Sequence, residues 1–209
     1  MTYSYDYYLK TCANLKLYGF NPKRILDIGA NVCQTADVMR YVWPNSDILL
    51  FEGNKEVEYI YKQKNYNYQL KLLGNSNSIV KFYKTKWSPL CTGNSIYKEN
   101  SNTYDESNLI VEELPIYKLD DCVHDIYDLI KIDTQGSELD IINGGERTFS
   151  SAKVIITEVS LTNYNEGGCT KQQIINKLLS FNFDLVAVIE TVCDNKNNII
   201  AESLMFIKP

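Results

Sequence analysis

The sequence lacks the features that several protein classes require. It has one histidine, His124, no cysteine pair at zinc-ligand spacing, and no apolar run as long as a membrane span. Lys and Arg number 21 against 26 Asp and Glu, which gives a formal net charge of -5. These shortages argue against a zinc site, a transmembrane helix and the basic face that nucleic-acid binding needs. We therefore predict no membrane partner and no nucleic-acid partner and assign no metal ligands. A site drawn from Asp120, Asp121 and Asp125, and a requirement for a divalent metal, are left open.

The N-terminal segment also lacks the marks of a secretory leader. MTYSYDYYLK alternates polar and aromatic residues, with neither a basic start nor an apolar core. The six cysteines are scattered along the chain, which favours reduced thiols over a disulfide framework. We expect a cytoplasmic protein.

Length and periodicity predict one α/β domain. A chain of 209 residues with 44% hydrophobic residues can bury one core and is too short for two comfortable domains. Strand and helix patterns alternate, for example a strand over Tyr68–Leu73 and a helix over Ser137–Phe149, which predicts a mostly parallel sheet with helices on both faces. The single domain, residues 1–209, includes an N-terminal helical extension at 1–22, a long polar loop at 84–108 and a closing antiparallel strand pair.

Two apolar runs that each end in an acid are the most informative feature. Arg24–Asn31 reads RILDIGAN, a strand that leads straight into a glycine turn. Ile48–Glu52 reads ILLFE and ends about 20 residues beyond that turn, where a ribose-binding carboxylate is expected. The pair predicts a nucleotide-type cofactor site.

The residues of the first turn indicate which cofactor is bound. A dinucleotide pyrophosphate needs bare backbone at G-x-G-x-x-G spacing, but Gly29 is followed by Asn31 and Cys33, so NAD and FAD fit badly. S-adenosylmethionine has no phosphate, and its positive charge suits an acid such as Asp27. The ribose of this cofactor would still need a carboxylate partner, for which Glu52 is the candidate. The turn therefore favours S-adenosylmethionine.

Acids stand at the ends of four predicted strands. They are Asp27, Glu52, Asp133 and Glu158. In a parallel sheet these ends meet at one edge, where ligands bind. Alternatively, each acid caps the helix that follows it and is stabilised there by the helix dipole.

Several further motifs occur in a consistent order. They are DIGAN (Asp27–Asn31), FEGN (Phe51–Asn54), TGNSIYKEN (Thr92–Asn100), LIKIDTQGSELDIINGG (Leu129–Gly145) and EVSLTNYNEG (Glu158–Gly167). With these motifs in this order, the chain resembles the FkbM-type S-adenosylmethionine-dependent methyltransferases over nearly all of Arg24–Pro209. The resemblance implies a Rossmann-like class I methyltransferase, with a seven-stranded sheet and an antiparallel closing strand, that O-methylates a sugar, glycan or natural-product hydroxyl. Cys33 stands where the family usually has glycine.

Motifs and chemistry together give candidate site residues. The cofactor candidates are Asp27, Gly29, Asn31, Glu52, Asn54 and Asp133. Because an alcohol is hardly ionised at neutral pH, methyl transfer to oxygen benefits from a base. The candidates for that base are Asp133, Glu138 and Glu158, of which Asp133 and Glu138 also fit a helix-capping arrangement.

The polar loop and the segment after Glu158 supply the acceptor candidates. These are Asn94, Ser95, Tyr97, Gln135, Tyr164 and Asn165. Amides and hydroxyls here suit sugar hydroxyls, and Tyr97 suits a sugar ring face in a loop that closes over the substrate. The alternative for each is an ordinary surface loop or turn.

Alternatives to a sugar O-methyltransferase remain at this point. One is an NAD-dependent oxidoreductase, and another is a catalytically weak cofactor-binding protein, which Cys33 keeps open. An N-methyltransferase is a nearer rival, but IDTQG stands where an Asn-Pro-Pro-aromatic type of motif is expected. The acceptor's identity and the oligomeric state are left open.

Overall fold

A computed structural model describes residues 6–86, 90–100, 104–162, 165–194 and 196–209. The strands are β1 (Arg24–Ile28), β2 (Asp47–Glu52), β3 (Asn67–Leu70), β4 (Leu72–Gly74), β5 (Ser78–Thr85), β6 (Leu109–Lys118), β7 (Leu129–Ile132), β8 (Val154–Ser160), β9 (Asp184–Cys193) and β10 (Ile199–Ile207). The helices are α1 (Asp6–Leu17), α2 (Gln34–Val42), α3 (Glu58–Lys64), α4 (Leu119–Cys122), α5 (Glu138–Gly144), α6 (Glu146–Ser151) and α7 (Lys171–Ser180), with a 3₁₀ turn at Lys55–Val57.

The main sheet has seven strands in the order β3-β2-β1-β7-β8-β10-β9. Strands β3, β2, β1, β7 and β8 pair in parallel, whereas β10 is antiparallel to both β8 and β9. The predicted Rossmann-like architecture with an antiparallel closing strand is therefore confirmed.

The central strands bury both of their faces. Ile25 and Leu26 are neighbours on β1, and because strand side chains alternate they join different cores. Leu26 packs in the core that includes residues of α5 and α7, and Ile25 in the core that includes residues of α1, α2 and α3. The same alternation turns Asp27 and, on β7, Lys131 toward the α1 side of the sheet.

A second sheet, which the sequence patterns did not predict, has the order β4-β6-β5. The expected single strand over Tyr68–Leu73 is wrong, since β3 ends at Leu70 and β4 pairs with β6 instead. The single helix expected over Ser137–Phe149 is also wrong. The helix divides into α5 and α6 at Gly144 and Gly145, and a Cβ on Gly144 would lie 1.9 Å from the carbonyl oxygen of Gly74, so the chain passes close to β4 there.

The described parts of the polar loop are tied to their surroundings by isolated bridges. Ser95 pairs with Tyr83 of β5, and Glu99 pairs with Asn165 after β8. The division into one domain with a substrate loop stays a prediction. Within the described ranges, no helix is both long and apolar enough to cross a membrane.

Candidate active site

A cavity of about 330 Å³ lies at the carboxyl ends of the central strands. This is the edge of a doubly wound sheet at which ligands bind, and the volume lies within the range of small-molecule sites. Three of the four strand-end acids, Glu52, Asp133 and Glu158, line it. Register places them in a row, because residues 28 and 51, 28 and 132, and 132 and 157 are partners on adjacent strands.

Glu52 is held by backbone N–H groups. Its Oε2 accepts from the N–H of Asn31 at 2.9 Å, and its Oε1 accepts from the N–H of Asn54 at 2.8 Å. Burial raises the pKa of Glu52, and these N–H groups oppose the rise. Each carboxylate oxygen has a second lone pair, so Glu52 can still accept from a pair of ribose hydroxyls.

Asn31 connects the first turn with the polar loop. Its Nδ2 donates to the carbonyls of Leu90 and Cys91, each at 3.4 Å, and its Oδ1 accepts from the N–H of Val32 at 2.7 Å. The Tyr61 hydroxyl donates to its carbonyl at 2.6 Å. The side chain of Asn31, which lines the cavity, is therefore used to fix the turn.

Asp27 lies behind the turn and does not line the cavity. It is fully buried, and its Oδ1 is 3.2 Å from Lys131 Nζ, which also donates to the carbonyl of Gly29 at 3.0 Å. Burial raises the pKa of Asp27, while Lys131 acts in the opposite direction. Direct contact between Asp27 and a cofactor stays a prediction. The contacts show a different task, which is to hold the lysine beneath the turn.

Asp133 and Glu158 are bridged by Gln135. The Gln135 Nε2 donates to Asp133 Oδ1 at 2.8 Å and to Glu158 Oε1 at 3.3 Å. The charge of Asp133, followed by burial, raises the pKa of Glu158 well above its usual range. These residues form a carboxyl pair with a shared amide donor, which is chemically able to accept a proton from a hydroxyl group.

Two of the acidic and amide candidates serve as caps. Glu138 is 3% exposed and accepts from the N–H groups of Thr134, at 2.7 Å, and Gly136, at 3.0 Å. Asn54 accepts from the N–H of Glu56 at 3.1 Å at the start of the 3₁₀ turn. Neither side chain lines the cavity, and the catalytic role of Glu138 and the cofactor contact of Asn54 stay predictions.

The acceptor candidates divide into two groups. Asn94, Ser95 and Gln135 line the cavity, and the Ser95 hydroxyl donates to the carbonyl of Gln135 at 2.8 Å. Tyr97 does not line it, because its hydroxyl donates to Asp140 at 2.5 Å and its carbonyl accepts from Asn165 Nδ2 at 3.1 Å. Asn165 lines a separate depression beside Gly136 and Gly168.

One acceptor candidate, Tyr164, lies outside the described residues. Sequence reasoning also missed Tyr7, Lys131 and Glu190, which all line the cavity. Lys131 carries a signal in hindsight, since it is a charged residue inside the fully buried strand LIKI. Tyr7 and Glu190 carry none, because nothing in the pattern places α1 against β9.

Cys33 is fully buried among apolar side chains of α1, α2 and α3 and does not line the cavity. It adopts φ 71°, a left-handed conformation in which glycine would be unstrained. Burial raises the pKa of its thiol to about 12. Cys33, which departs from the family pattern, therefore affects the backbone of the turn and does not occupy the cavity.

Comparison with known families identifies the class of this site. The model of the Methyltransferase FkbM domain matches residues 27–186, which is well over half of the chain. The chain belongs to the FkbM methyltransferase family. No curated protein matches the chain by sequence. Membership favours an S-adenosylmethionine-dependent methyltransferase over an NAD-dependent oxidoreductase.

Solved structures of low sequence identity share the fold. An FkbM methyltransferase from Methylobacillus flagellatus KT has a TM-score of 0.56 at 13% identity over 88% of this chain and 43% of its own. This chain therefore spans less than half the length of that protein. A magnesium protoporphyrin IX methyltransferase from Synechocystis PCC 6803 with bound S-adenosylmethionine has a TM-score of 0.55 at 7% identity over 98% and 81%. The N-methyltransferase NodS from Bradyrhizobium japonicum WM9 has a TM-score of 0.54 at 8% identity over 96% and 94%.

The cavity residues fit S-adenosylmethionine. Glu52 offers free lone pairs to ribose hydroxyls beside the apolar side chains of Phe51, Leu72 and Phe82, which suit an adenine ring. Asp133 follows β7, two strands along the sheet from β2, and its negative charge suits the positively charged part of S-adenosylmethionine. Within the described ranges, no cluster of three or more His, Cys, Asp or Glu residues is arranged to hold a metal ion.

Proposed function

We propose that this FkbM-family protein methylates a hydroxyl oxygen of a sugar or glycan. The observation that supports it most is the Asp133–Gln135–Glu158 arrangement at adjacent strand ends, in the cavity that Glu52 also lines. A carboxyl pair can accept the proton that a hydroxyl group must lose during methyl transfer. An amine acceptor would need such a base less.

The cofactor half of the proposal assigns three residues. Gly29 and Asn31 shape the turn, and Glu52 holds the ribose hydroxyls. Once bound, S-adenosylmethionine supplies a methyl group activated by a positively charged sulfur. The chain's contribution is then to orient both partners and to exclude water, since positioning lowers the barrier of a two-molecule reaction.

The acceptor half rests on polar side chains that line the same cavity as Glu52. Asn94, Ser95, Gln135 and Ser160 bring amide and hydroxyl groups to this cavity. Such groups exchange hydrogen bonds with the hydroxyls of a carbohydrate. We keep the predictions of a cytoplasmic protein and of the absence of a membrane partner. The net charge of -5 also argues against a nucleic-acid partner.

A methyl-transfer screen tests the proposal. The protein is incubated with S-adenosylmethionine labelled in its methyl group and with methyl glycosides, oligosaccharides, nucleotide sugars and a matched set of amines. We expect label in a carbohydrate hydroxyl. In Asp133→Asn and Glu158→Gln, transfer should fall about 100-fold, the scale of a lost general base, while Glu158→Gln still binds S-adenosylhomocysteine. Label in amines alone would refute O-methylation.

A further inference from the structure

A partly buried acid that the proposed chemistry does not use, Glu190, lies beyond Glu158. Ser203 of β10 is the register partner of Glu158 on one side and of Glu190 of β9 on the other. The Ser203 hydroxyl donates to Glu190 Oε2 at 3.3 Å. Glu190 therefore continues the row of acids past Glu158, and it lines the same cavity.

Helix α1 supplies the second contact to this acid. The hydroxyl of Tyr7 forms a hydrogen bond with Glu190, and its ring lies 4.6 Å from the ring of Tyr8, centroid to centroid. Both tyrosines line the cavity. The family match begins at residue 27, whereas α1 ends at Leu17, so this contact comes from a part of the chain that the family model does not cover.

Glu190 has unused capacity to accept hydrogen bonds. A carboxylate offers about four lone-pair sites, and Ser203 and Tyr7 occupy only part of them. Within the described part of the chain, no ion pair involves Glu190. A ligand with several hydroxyl groups would supply the missing donors.

We propose that Glu190 binds a hydroxyl group of the acceptor and that Tyr7 is a positioning residue that directs the Glu190 carboxylate into the cavity. The inference rests on the proposed function, since it assumes a hydroxyl-rich acceptor. It assigns acceptor selection to α1 and β9, and it separates that task from cofactor binding at Glu52 and from the chemistry at Asp133 and Glu158.

Conservative variants test this assignment. Tyr7→Phe removes only the hydroxyl group, and Glu190→Gln removes the charge and replaces one acceptor oxygen by an amide nitrogen. Tyr18→Phe is the matched control, because Tyr18 follows α1 and is 88% exposed. For each variant, KM and kcat are measured with the best methyl glycoside of the screen, and affinity for S-adenosylhomocysteine is measured by calorimetry. We expect KM to rise about tenfold in both variants with kcat nearly unchanged, the scale of one hydrogen bond to a charged group.

The double variant separates positioning from a general structural role. If Tyr7 acts through Glu190, Tyr7→Phe combined with Glu190→Gln should raise KM no further than Glu190→Gln alone. Independent effects that multiply, or a KM unchanged in Glu190→Gln, would overturn the inference even when the wild type methylates the glycoside.

If the wild type methylates no glycoside, the proposed function fails, and the inference is then decided by binding. Saturation-transfer NMR with methyl glycosides and S-adenosylhomocysteine should show binding to the wild type and its loss in Glu190→Gln. Absence of binding to the wild type, or equal binding to both proteins, would overturn the inference.

Discussion

Gly29 and Asp133 approach each other so closely that the first turn and the end of β7 act as one unit. A Cβ on residue 29 would lie 1.9 Å from the carbonyl oxygen of Asp133, and Gly29 itself has φ 76°. The Gly29 N–H donates to the carbonyl of Phe51 at 2.9 Å, and the Asp133 N–H donates to the carbonyl of Ile28 at 3.1 Å. The cofactor turn and the proposed base therefore share one backbone arrangement.

The contact predicts a large effect of Gly29→Ala on stability. The left-handed conformation costs a side chain about 1–2 kcal/mol, and the clash with the Asp133 carbonyl adds about 1–3 kcal/mol. Gly19→Ala is the control, because Gly19 has φ 90° but nothing within 4 Å of its Cβ position. Urea unfolding should show a clearly larger loss for Gly29→Ala, and equal losses would mean that the close approach is absent.

Removing Lys131 should leave Asp27 as an uncompensated buried charge. We expect Lys131→Met to lower the free energy of unfolding by about 3–5 kcal/mol and the added change Asp27→Asn to restore part of it. Lys153→Met is the control, since its side chain is 67% exposed in its pair with Asp128 and the pair is worth about 1 kcal/mol or less. Denaturant unfolding of the single and double variants measures the coupling, and strictly additive losses would contradict the pairing.

The raised pKa of Glu158 makes a prediction about pH. A carboxyl whose folded pKa lies above its unfolded value contributes stability below the unfolded pKa, near 4.5, and loses that contribution as pH rises through the folded pKa. Glu158→Gln should therefore be more stable than the wild type at pH 7 to 8, by about 1.4 kcal/mol for each unit of pKa separation, and should lose this advantage near pH 4.

The control for this pH effect is Glu113→Gln, because Glu113 is exposed on β6 and does not line the cavity. A Glu158→Gln protein whose stability relative to the wild type does not change with pH would show that the pKa of Glu158 is not raised.

Hydrophobic patterning was sufficient to predict the main sheet, because apolar runs such as LIKI at Leu129–Ile132 are buried on both faces. It failed where tertiary contacts divide a run. Lys71 alone separates β3 from β4, and the pattern cannot show that Leu72–Gly74 turns away to pair with β6.

The candidate site shows the same limit at the level of side chains. The strand-end pattern predicted Glu52, Asp133 and Glu158 at one edge of the sheet, where all three line the cavity, since the position of a strand end follows from topology. The direction of a side chain in a turn does not follow from topology. Glu138 caps the turn at Thr134 and Gly136, and Tyr97 reaches Asp140. Glu190 joins the site only because β10 lies between β8 and β9.

Calorimetric titration of S-adenosylhomocysteine into the wild type, Glu52→Gln and the control Glu113→Gln tests the cofactor site most directly. In Glu52→Gln, the side-chain amide nitrogen must face one of the N–H groups of Asn31 and Asn54, so the ribose-binding geometry is lost. We predict micromolar binding to the wild type and the control, and binding at least about tenfold weaker to Glu52→Gln. Equal binding to all three proteins would contradict the assignment of this cavity as the cofactor site.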